Sequence, residues 1–333
     1  MKFSCNGTEL GKALRVACAV APSRTTFPAL SCVRLDAADG KLAITATDFN
    51  TQVTARIDAS VTDPGSVLVN ANVARGLART GHAAFETDGT DLVFRGASSF
   101  ARLQTMHVAD FPVLASEGDF KPIKSPLVDI LDCMKFAADE ETRFYLRGVC
   151  IAPQHCVATD GHRILAIEGG GGESQIIPKE ATAILNTMPD AEIQLSDSMW
   201  RAKVDGITAY GKLIDGDFPD WERIMPDLPL SMDVHADELA SAATAIAPVF
   251  SERERKISVK EQEGALCLSA AGGFGTAEAQ APAKGELDEV GINGRYLESV
   301  CVAFSGQSVG VGSGQNILLF AANGRRAVIM GMR

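Results

Sequence analysis

The sequence predicts an α+β protein made of three tandem repeats, each with two helices and antiparallel sheets. The order strand, helix, about three strands, helix, about three strands occurs three times along the 333 residues. The similar strings ITATDFN and CVATDGHR occupy the same place in the first and second repeats, and so do ADFPVL and GDFPDW. The repeats predict domains over residues 1–117, 118–230 and 231–333, each large enough to bury its own core.

The predicted strands share one pattern, in which apolar and polar residues alternate, as in TQVTARI at residues 51–57. Such alternation buries one face of a strand and leaves the other in water, which is typical of antiparallel sheets. Because each repeat has only two helices, we expect the helices to lie on one side of the sheets.

The first repeat begins with a strand at KFSCN. A helix is predicted next, over residues 8–21, because Leu10 and Leu14 recur on one face and Thr8 can cap its N-terminus. A second helix is predicted over residues 72–80. Strands are predicted around these helices at ALSCVRLDA, KLAITATD, TQVTARIDA, AAFETDG, DLVFRG and ARLQTM.

The second and third repeats follow the same order with different residues. Helices are predicted over residues 126–139, 179–188, 237–249 and 293–304, the second of them following Pro178, whose fixed φ suits the start of a helix. Strand patterns separate them, among them YLRGVCIA, HCVATD, HRILAIE, AEIQLSD, MWRAKVD, ITAYGKLI, RKISVK, ALCLSAA, NILLFAA and RAVIMGM.

Composition excludes several classes of protein. The chain is 46% hydrophobic and 22% charged, so it can bury cores. The longest apolar stretches fall short of the ~20 residues that a membrane span needs. No apolar segment follows the lysine of MKFSCNGTEL, so we expect a cytoplasmic protein without a secretory signal. Most of the eight cysteines lie in apolar runs, which without a secretory signal predicts buried free thiols. No CxxC and no His pair has metal-ligand spacing, so we expect no metal, and we expect no cofactor. The net charge of −11 argues against general affinity for nucleic acid.

The string ATDGHRIL is the sharpest local motif, and three interpretations of it are open. Asp160 could orient His162 as the general base of a hydrolase, with Cys156 as the nearest nucleophile. The plainest interpretation is an Asp-Gly turn between two strands. The third is a peptide-binding pocket, in which Gly161 allows close approach and Arg163 makes polar contacts.

Four strings together, TATDFN, ATDGHR, DFPD and the terminal VIMGMR, resemble the family of bacterial sliding clamps, the β subunit of DNA polymerase III. The resemblance extends in order along the whole chain, and Arg24 with Pro28-Ala29-Leu30 resembles the early R…LPIL segment of that family. It implies the DNA clamp fold, with two copies joined head to tail in a ring of six similar units. Helices would line the hole.

The function that the resemblance implies is that of a processivity clamp. The homodimer would encircle double-stranded DNA without reading its sequence. It would tether the replicative polymerase, and contact the polymerase catalytic subunit and the clamp loader, through short linear motifs. It would catalyse no reaction and need no cofactor. Weak phosphate contacts suffice for such a ring, because its hold on DNA is topological.

The resemblance also assigns residues to a partner-binding pocket. Carried over where the strings align, the pocket comprises Leu146, Thr159, Gly161, His162, Arg163, Ile164, Pro219, Ile224, Val328, Met330, Gly331, Met332 and Arg333, with Asn293 and Tyr296 bordering the adjoining subsite. The set is apolar and contains methionines, which suits a surface that repacks around several motifs. Family members usually read M-P-x-R near the end, so Gly331 is a departure from the pattern.

For DNA, the resemblance and the helix spacings imply an exposed basic and aromatic set, namely Lys12, Arg15, Arg24, Arg75, Arg79, Phe144, Tyr145 and Lys179. For the dimer, the resemblance implies apolar contacts at Phe100, Val249 and Phe250, with ion pairs from Arg253 and Arg255.

The charge is unevenly spread, which answers the objection from the acidic total. Residues 1–117 have 11 basic and 11 acidic residues, whereas residues 118–230 have 11 basic and 19 acidic. A ring with an acidic outside and a mildly basic lining would repel DNA except through its centre. Two further alternatives stay open: a specialised or mobile-element-encoded clamp paralogue with altered partners, and a monomeric acidic adaptor that never encircles DNA.

Overall fold

The computed structural model describes residues 1–77, 81–116, 118–249, 255–272 and 274–332. The chain divides into two compact units. The first unit is Met1–Leu127 with Glu180–Leu213, and the second is Val128–Lys179 with Ile214–Arg333. Each unit is built on one twelve-stranded sheet, and every strand pairing in the described residues is antiparallel.

The sheet of the first unit takes strands from both of its segments. Its elements before the crossing into the second unit are β1 (Lys2–Asn6), α1 (Gly7–Ala17), β2 (Cys32–Ala38), β3 (Lys41–Thr47), β4 (Thr51–Asp63), β5 (Gly65–Asn70), α2 (Ala71–Leu77), β6 (His82–Asp88), β7 (Asp91–Arg95), β8 (Phe100–Met106) and β9 (Lys121–Pro122). Short 3-10 turns lie at Pro28–Ser31 and Val108–Asp110.

The chain then contributes to the second unit before it returns to the first. These elements are α3 (Leu127–Met134), a 3-10 turn at Glu141–Leu146, β10 (Gly148–Ile151), β11 (His155–Thr159), β12 (Arg163–Glu168) and β13 (Gln175–Pro178), and after the return a 3-10 turn at Lys179–Ala181, α4 (Thr182–Leu185), β14 (Glu192–Leu195), β15 (Met199–Val204) and β16 (Ile207–Lys212).

The remainder of the chain completes the second unit. Its elements are a 3-10 turn at Trp221–Ile224, β17 (Met232–His235), α5 (Ala236–Ile246), a 3-10 turn at Ala247–Val249, β18 (Lys256–Gln262), β19 (Ala265–Gly272), β20 (Gly275–Gly285), β21 (Val290–Asn293), α6 (Gly294–Ala303), β22 (Ser308–Gly314), β23 (Ile317–Ala322) and β24 (Arg325–Met330).

Strand order shows how the central third of the sequence is shared. The first sheet runs β1-β6-β7-β8-β5-β2-β3-β4-β16-β15-β14-β9, and β1 also pairs with β4. The second runs β13-β10-β11-β12-β24-β23-β22-β17-β20-β19-β18-β21. Strands of the central third therefore extend both sheets, through β4 beside β16 and β12 beside β24. The three predicted domain boundaries stay a prediction.

The core of the first unit follows the predicted alternation. Val53 and Ala55 on β4 are buried, whereas Arg56 is exposed. Leu10 and Leu14 on α1 are also buried, and burying a leucine side chain contributes about 1.5–3 kcal/mol. The mixed helices and antiparallel sheets confirm the α+β class.

Helix α1 shows why the predicted ends shift. Asn6 caps it, its Oδ1 accepting hydrogen bonds from the amides of Thr8 (2.8 Å) and Glu9 (3.3 Å), so the prediction of Thr8 as the cap is wrong. The helix ends at Ala17 rather than at residue 21. Beyond Ala17 the amides of Ala19 and Val20 donate to carbonyls three residues earlier (3.1 Å each), so the chain continues as a tighter turn and not as an α-helix.

The other predicted helices are also shorter in the structure. Pro248 converts the last turn of the helix predicted over 237–249 into a 3-10 turn after Ile246. The helix predicted over 126–139 ends at Met134, and that predicted over 179–188 keeps α geometry only over Thr182–Leu185. Asn293 caps α6 through a 3.0 Å bond from the amide of Arg295. Residues 78–80 of the helix predicted over 72–80 lie outside the described residues.

Candidate functional site

The turn between β11 and β12, residues 159–163, is the local structure at the centre of the site. The hydroxyl of Thr159 donates to the carbonyl of Arg163 (2.7 Å) and accepts from the amide of Gly161 (3.0 Å). Asp160 Oδ1 accepts from the amides of His162 (2.9 Å) and Arg163 (3.0 Å). Gly161 has a φ of +88°, which favours glycine. The prediction of an Asp-Gly turn is confirmed.

The same geometry contradicts the hydrolase hypothesis. The second oxygen of Asp160 accepts from Arg163 Nε at 2.9 Å, so the carboxylate is bonded to that guanidinium and to backbone amides. The ring of His162 instead stacks on Tyr296, with centroids 6.3 Å apart and planes 15° apart. Cys156, the supposed nucleophile, is fully buried. A carboxylate held in this way does not orient the imidazole as a general base.

Arg163 is enclosed rather than presented to a ligand. Its guanidinium lies between the rings of Phe136 (5.1 Å) and Tyr296 (4.8 Å). It also donates to the hydroxyl of Ser299 and to the carbonyl of Lys135 (2.9 Å). The side chain is only 13% exposed. Arg163 therefore holds the turn against α6, which positions the residues beside it.

Strand pairing brings the end of the chain to this turn. Ile164 on β12 faces Val328 on β24, and the amide of Met330 donates to the carbonyl of His162 at 2.8 Å. Both Ile164 and Val328 are buried. They belong to an apolar cluster with Val157, Ala166 and Leu319, packed against Phe218, Trp221, Met225, Leu228 and Ile317.

The glycine that departs from M-P-x-R lies against the side chain of Asn316. A Cβ on Gly331 would lie 2.1 Å from Asn316 Oδ1, so no side chain fits there without a shift. The amide of Gly331 donates to the carbonyl of Asn316 (2.7 Å), and that of Met332 to Gly291 (2.7 Å). The side chains of Met330 and Met332 remain 50% and 39% exposed. Arg333 lies outside the described residues.

The remaining predicted pocket residues differ in exposure. Pro219 is exposed, and Ile224 is 55% exposed between Trp221 and Met225, whose side chains pack on the apolar cluster. Leu146 is buried in the interior. The structure thus brings the turn, Val328, Met330 and Tyr296 together.

Sequence reasoning missed several contributors to the site. Phe136, Ser299 and Asn316 contact the turn or the tail, yet no motif singles them out. Arg143 also lies at the turn, since a Cβ on Gly161 would be 2.5 Å from its Nη1. Of the residues that were missed, only Trp221 had a sequence signal, because it is an aromatic residue directly after the DFPD string.

A largely buried cluster of ion pairs joins β24 to α3. Arg325 donates to Asp129 (2.5 Å) and Asp132 (2.7 Å), and all three side chains are at most 15% exposed. Burial raises the pKa of Asp129, an effect that the adjacent guanidinium opposes. Breaking such a pair by removing one partner is strongly destabilising.

The residues predicted to contact DNA fall into two groups. Lys12, Arg15, Arg24 and Arg75 are exposed cations of the first unit. Lys179 is instead engaged, because its Nζ donates to Asp139 Oδ1 (2.7 Å) and the carbonyl of Ala137 (3.0 Å). That hydrogen bond holds the pKa of Asp139 below its usual value.

Two further aromatic residues predicted to contact DNA are adjacent. The ring of Phe144 is 52% exposed and meets Tyr145 edge to face, with centroids 5.7 Å apart. Arg79 lies outside the described residues.

The residues predicted at the dimer interface are only partly described. Phe100 is 61% exposed, and the guanidinium of Arg95 lies 5.3 Å from its ring centroid. Val249 is half-buried at the end of its 3-10 turn. Phe250 and Arg253 lie outside the described residues.

The cysteines are free thiols, as expected, and seven of them are buried. Burial raises the pKa of Cys150 and of Cys301 to about 12, which keeps these thiols protonated at neutral pH. Across the described ranges, no group of three or more His, Cys, Asp or Glu side chains could hold a metal ion. Nor does any helix in those ranges have the length and apolar character that crossing a membrane requires.

Comparisons with known proteins agree with one another. The family model for the DNA polymerase III beta subunit, N-terminal domain, matches residues 1–115, and that for the central domain matches residues 124–220. The beta sliding clamp of Caulobacter vibrioides is 28% identical over 339 aligned positions, which cover 92% of this chain and 91% of that protein. The beta sliding clamp of Escherichia coli is 29% identical over 294 positions, covering 81% and 80%.

A solved structure extends the likeness to the whole chain. The sliding clamp of Bartonella birtlesii bound to griselimycin superposes with a TM-score of 0.88 at 25% sequence identity. The superposition covers 100% of this chain and 99% of that one.

Proposed function

Because the chain belongs to the family of DNA polymerase III beta subunits, we propose that it is a sliding clamp. Two copies would join head to tail around double-stranded DNA and tether the replicative polymerase for processive synthesis. The clamp catalyses no reaction and works in the cytoplasm. The observation that carries the proposal is the family match over the first two thirds of the chain, extended to all of it by the Bartonella structure.

The distribution of charge supports a ring held on DNA by topology. The exposed cations Lys12, Arg15 and Arg75 lie on α1 and α2, the helices proposed to face the DNA. Sequence-independent phosphate contacts of this kind are weak and screened by salt, which permits sliding. The domains proposed for this assembly are residues 1–117, 118–230 and 231–333, with Phe100, Val249 and Phe250 at the dimer interface.

The proposed partner site is the apolar surface around the 159–163 turn. His162 and Met330 are exposed there, and Tyr296 is half-buried beside them. Short linear motifs of the polymerase catalytic subunit and the clamp loader would dock on these side chains, whereas Arg163 would act by positioning them. A methionine-containing surface adapts to different motifs at low energetic cost.

Retention on DNA tests the ring. Loaded by a clamp loader, the protein is expected to stay on circular DNA and to run off the same DNA after linearisation. Equal loss from both forms would contradict topological binding. In light scattering, the dimer is expected at twice the 35.1 kDa of the chain. A 35 kDa species at micromolar concentration would favour the monomeric adaptor.

We propose that griselimycin, the ligand of the Bartonella structure, binds this chain at the partner site and can therefore be used to probe it. We expect the wild-type chain to bind it and His162→Ala to bind it at least about 10-fold more weakly, since a ring at the centre of a site carries a large share of the affinity. The matched control is His82→Ala, which removes an exposed histidine from β6 and should bind griselimycin as the wild-type chain does. Equal binding by both variants would contradict the assignment of His162.

A further inference from the structure

The first unit contains a second turn with the same side-chain hydrogen bonds, at residues 47–51. The hydroxyl of Thr47 donates to the carbonyl of Thr51 (2.8 Å) and accepts from the amide of Phe49 (3.2 Å). Asp48 Oδ1 accepts from the amides of Asn50 (3.0 Å) and Thr51 (2.7 Å). These four bonds determine the backbone of the turn whatever its third residue is.

That third residue is Phe49, with a φ of +76°, a conformation that bulky L-residues rarely adopt. The turn holds the strained residue in place and leaves its ring 42% exposed. Backbone strain of this kind persists where the surrounding structure over-determines it, and it concentrates at functional sites. The position therefore calls for a ligand that uses the ring.

A second exposed ring lies against the first. Phe27 is 59% exposed and meets Phe49 edge to face, with centroids 5.4 Å apart and planes 87° apart. The amide of Phe27 donates to the hydroxyl of Thr25 (3.1 Å), which fixes the backbone that carries the ring. Two exposed aromatic side chains thus contact each other, on backbone that side-chain hydrogen bonds hold in place.

One cation lies beside Phe49, and a second precedes Phe27 in the sequence. Lys212 on β16 is exposed, and its Nζ lies 3.4 Å from Asn50 Oδ1, beside Phe49. Arg24 is exposed three residues before Phe27. The one acid of the turn, Asp48, directs an oxygen at two backbone amides. The patch is therefore aromatic and cationic within a chain of net charge −11.

We propose that Phe27 and Phe49 form a stacking platform for unpaired nucleobases, with Arg24 and Lys212 contacting the phosphates of the same single strand. Sites for single-stranded nucleic acid combine aromatic rings, on which any base stacks, with cations that follow the backbone. Duplex DNA cannot use the rings, because its bases are stacked internally. The cations on the patch favour a polyanion over an apolar peptide. This inference depends on the proposed function in one respect only: a clamp on replicating DNA would meet single strands there.

Fluorescence anisotropy with a labelled linear dT12 oligonucleotide tests the platform, using the full-length chain at low salt. Phe49→Leu and Phe27→Leu keep an apolar side chain and remove the aromatic face. Each is expected to bind at least about 5-fold more weakly than wild type, as the loss of one stacked base predicts. Phe49→Tyr is expected to bind as wild type does. Phe274→Ala, which removes a ring 78% exposed in the second unit, is the matched control.

The cations have a separate readout. Arg24→Ala and Lys212→Ala are each expected to reduce the slope of log Kd against log salt by about 0.7, the value for one phosphate contact on a single strand. Wild-type affinity in both leucine variants, or no binding of dT12 by the wild-type chain, would overturn the proposal. Two leucine substitutions on separate segments keep the test valid if one variant melts early.

The outcome is separable from that of the proposed function. Phe49→Leu is expected to stay on loaded circular duplex DNA as wild type does, because topology and not stacking retains it. Loss of wild type from circular DNA with dT12 binding intact would contradict the clamp and leave the platform standing. The reverse result would contradict the platform alone.

Discussion

The turns at residues 47–51 and 159–163 have the same Thr-Asp beginning and the same four side-chain hydrogen bonds, yet they present different chemistry. Their third residues both have positive φ, +76° at Phe49 and +88° at Gly161. At Gly161 the space that a side chain would need is occupied by the end of Arg143. At Phe49 the side chain projects to the surface and meets another exposed ring.

The fifth residues differ as well. Thr51 is buried at the start of β4, whereas Arg163 sends its guanidinium between two rings and toward Asp160. The comparison teaches that the Thr-Asp pair determines the backbone conformation of the turn. The third and fifth residues and the side chains around them determine what the turn presents at the surface. One copy carries an enclosed cation that positions a pocket, and the other an exposed aromatic residue.

The largest effect is expected at the fifth position, where one turn has a threonine and the other an enclosed arginine. Arg163→Ala should lower the free energy of unfolding by about 3–5 kcal/mol in urea titrations, because the largely buried Asp160 carboxylate loses its ion partner and the bonds to Ser299 and the Lys135 carbonyl are lost with it. The control is Arg223→Ala, which removes an ion pair with Asp220 that has the same i,i+3 spacing. The side chains of Arg223 and Asp220 are 85% and 57% exposed. That control should cost no more than about 1 kcal/mol. Similar losses in both variants would show that burial is not what matters.

A methyl group at the third position tests the role of glycine. Gly161→Ala is expected to destabilise by about 2 kcal/mol, since a side chain at positive φ is strained and must also displace Arg143. Gly76→Ala is the control, because a Cβ there meets nothing within 4 Å and the residue lies in α2. It should stabilise by about 0.5–1 kcal/mol in thermal or urea unfolding. A stabilised Gly161→Ala would refute this account of the turn.

The hydrogen bonds that the two turns share can be broken in the turn at residues 47–51 alone. Asp48→Ala removes the acceptor for two amides and should destabilise by about 1 kcal/mol. Asp48→Asn keeps an acceptor oxygen and should change stability by less than about 0.5 kcal/mol. If the two variants unfold at the same urea concentration, the side-chain oxygen does not support the turn.

The smallest effect is expected when the first turn is converted toward the second. Phe49→Gly relieves the strain at positive φ but loses the contact with Phe27 and makes the unfolded chain more flexible, so its stability should stay within about 1 kcal/mol of wild type. Urea unfolding measures this. A loss of several kcal/mol would mean that Phe49 is a structural residue rather than one displayed for binding.

Much of the fold could be predicted from the sequence because its signals are local. Alternation along β4 and the apolar face of α1 reflect burial of single elements. The Asp-Gly turn could be predicted because Thr159 and Asp160 bond to residues two to four positions away. Helix ends were predicted less well, because they do not depend on hydrophobic periodicity. Asn6 begins α1 by capping it, and Pro248 lies in the 3-10 turn that follows α5.

The site could be predicted only in part, for the opposite reason. The resemblance placed Ile164 and Val328 in one pocket, and their pairing across β12 and β24 brings them together. It could not show that Arg163 is enclosed, because Phe136 and Ser299 come from distant segments. It also could not show that Gly331 lies against the side chain of Asn316, which is distant in sequence.

The sequence by itself therefore determined the repeated order of elements, the turn at residues 159–163 and the family, since each rests on strings of residues that are close together in the chain. Only the tertiary structure decided that strands of the central third extend two sheets, that Lys179 is engaged by Asp139, and that Phe27 lies against Phe49. These outcomes depend on side chains that meet across long sequence separations, where packing and charge compensation select the partners and no local pattern records them.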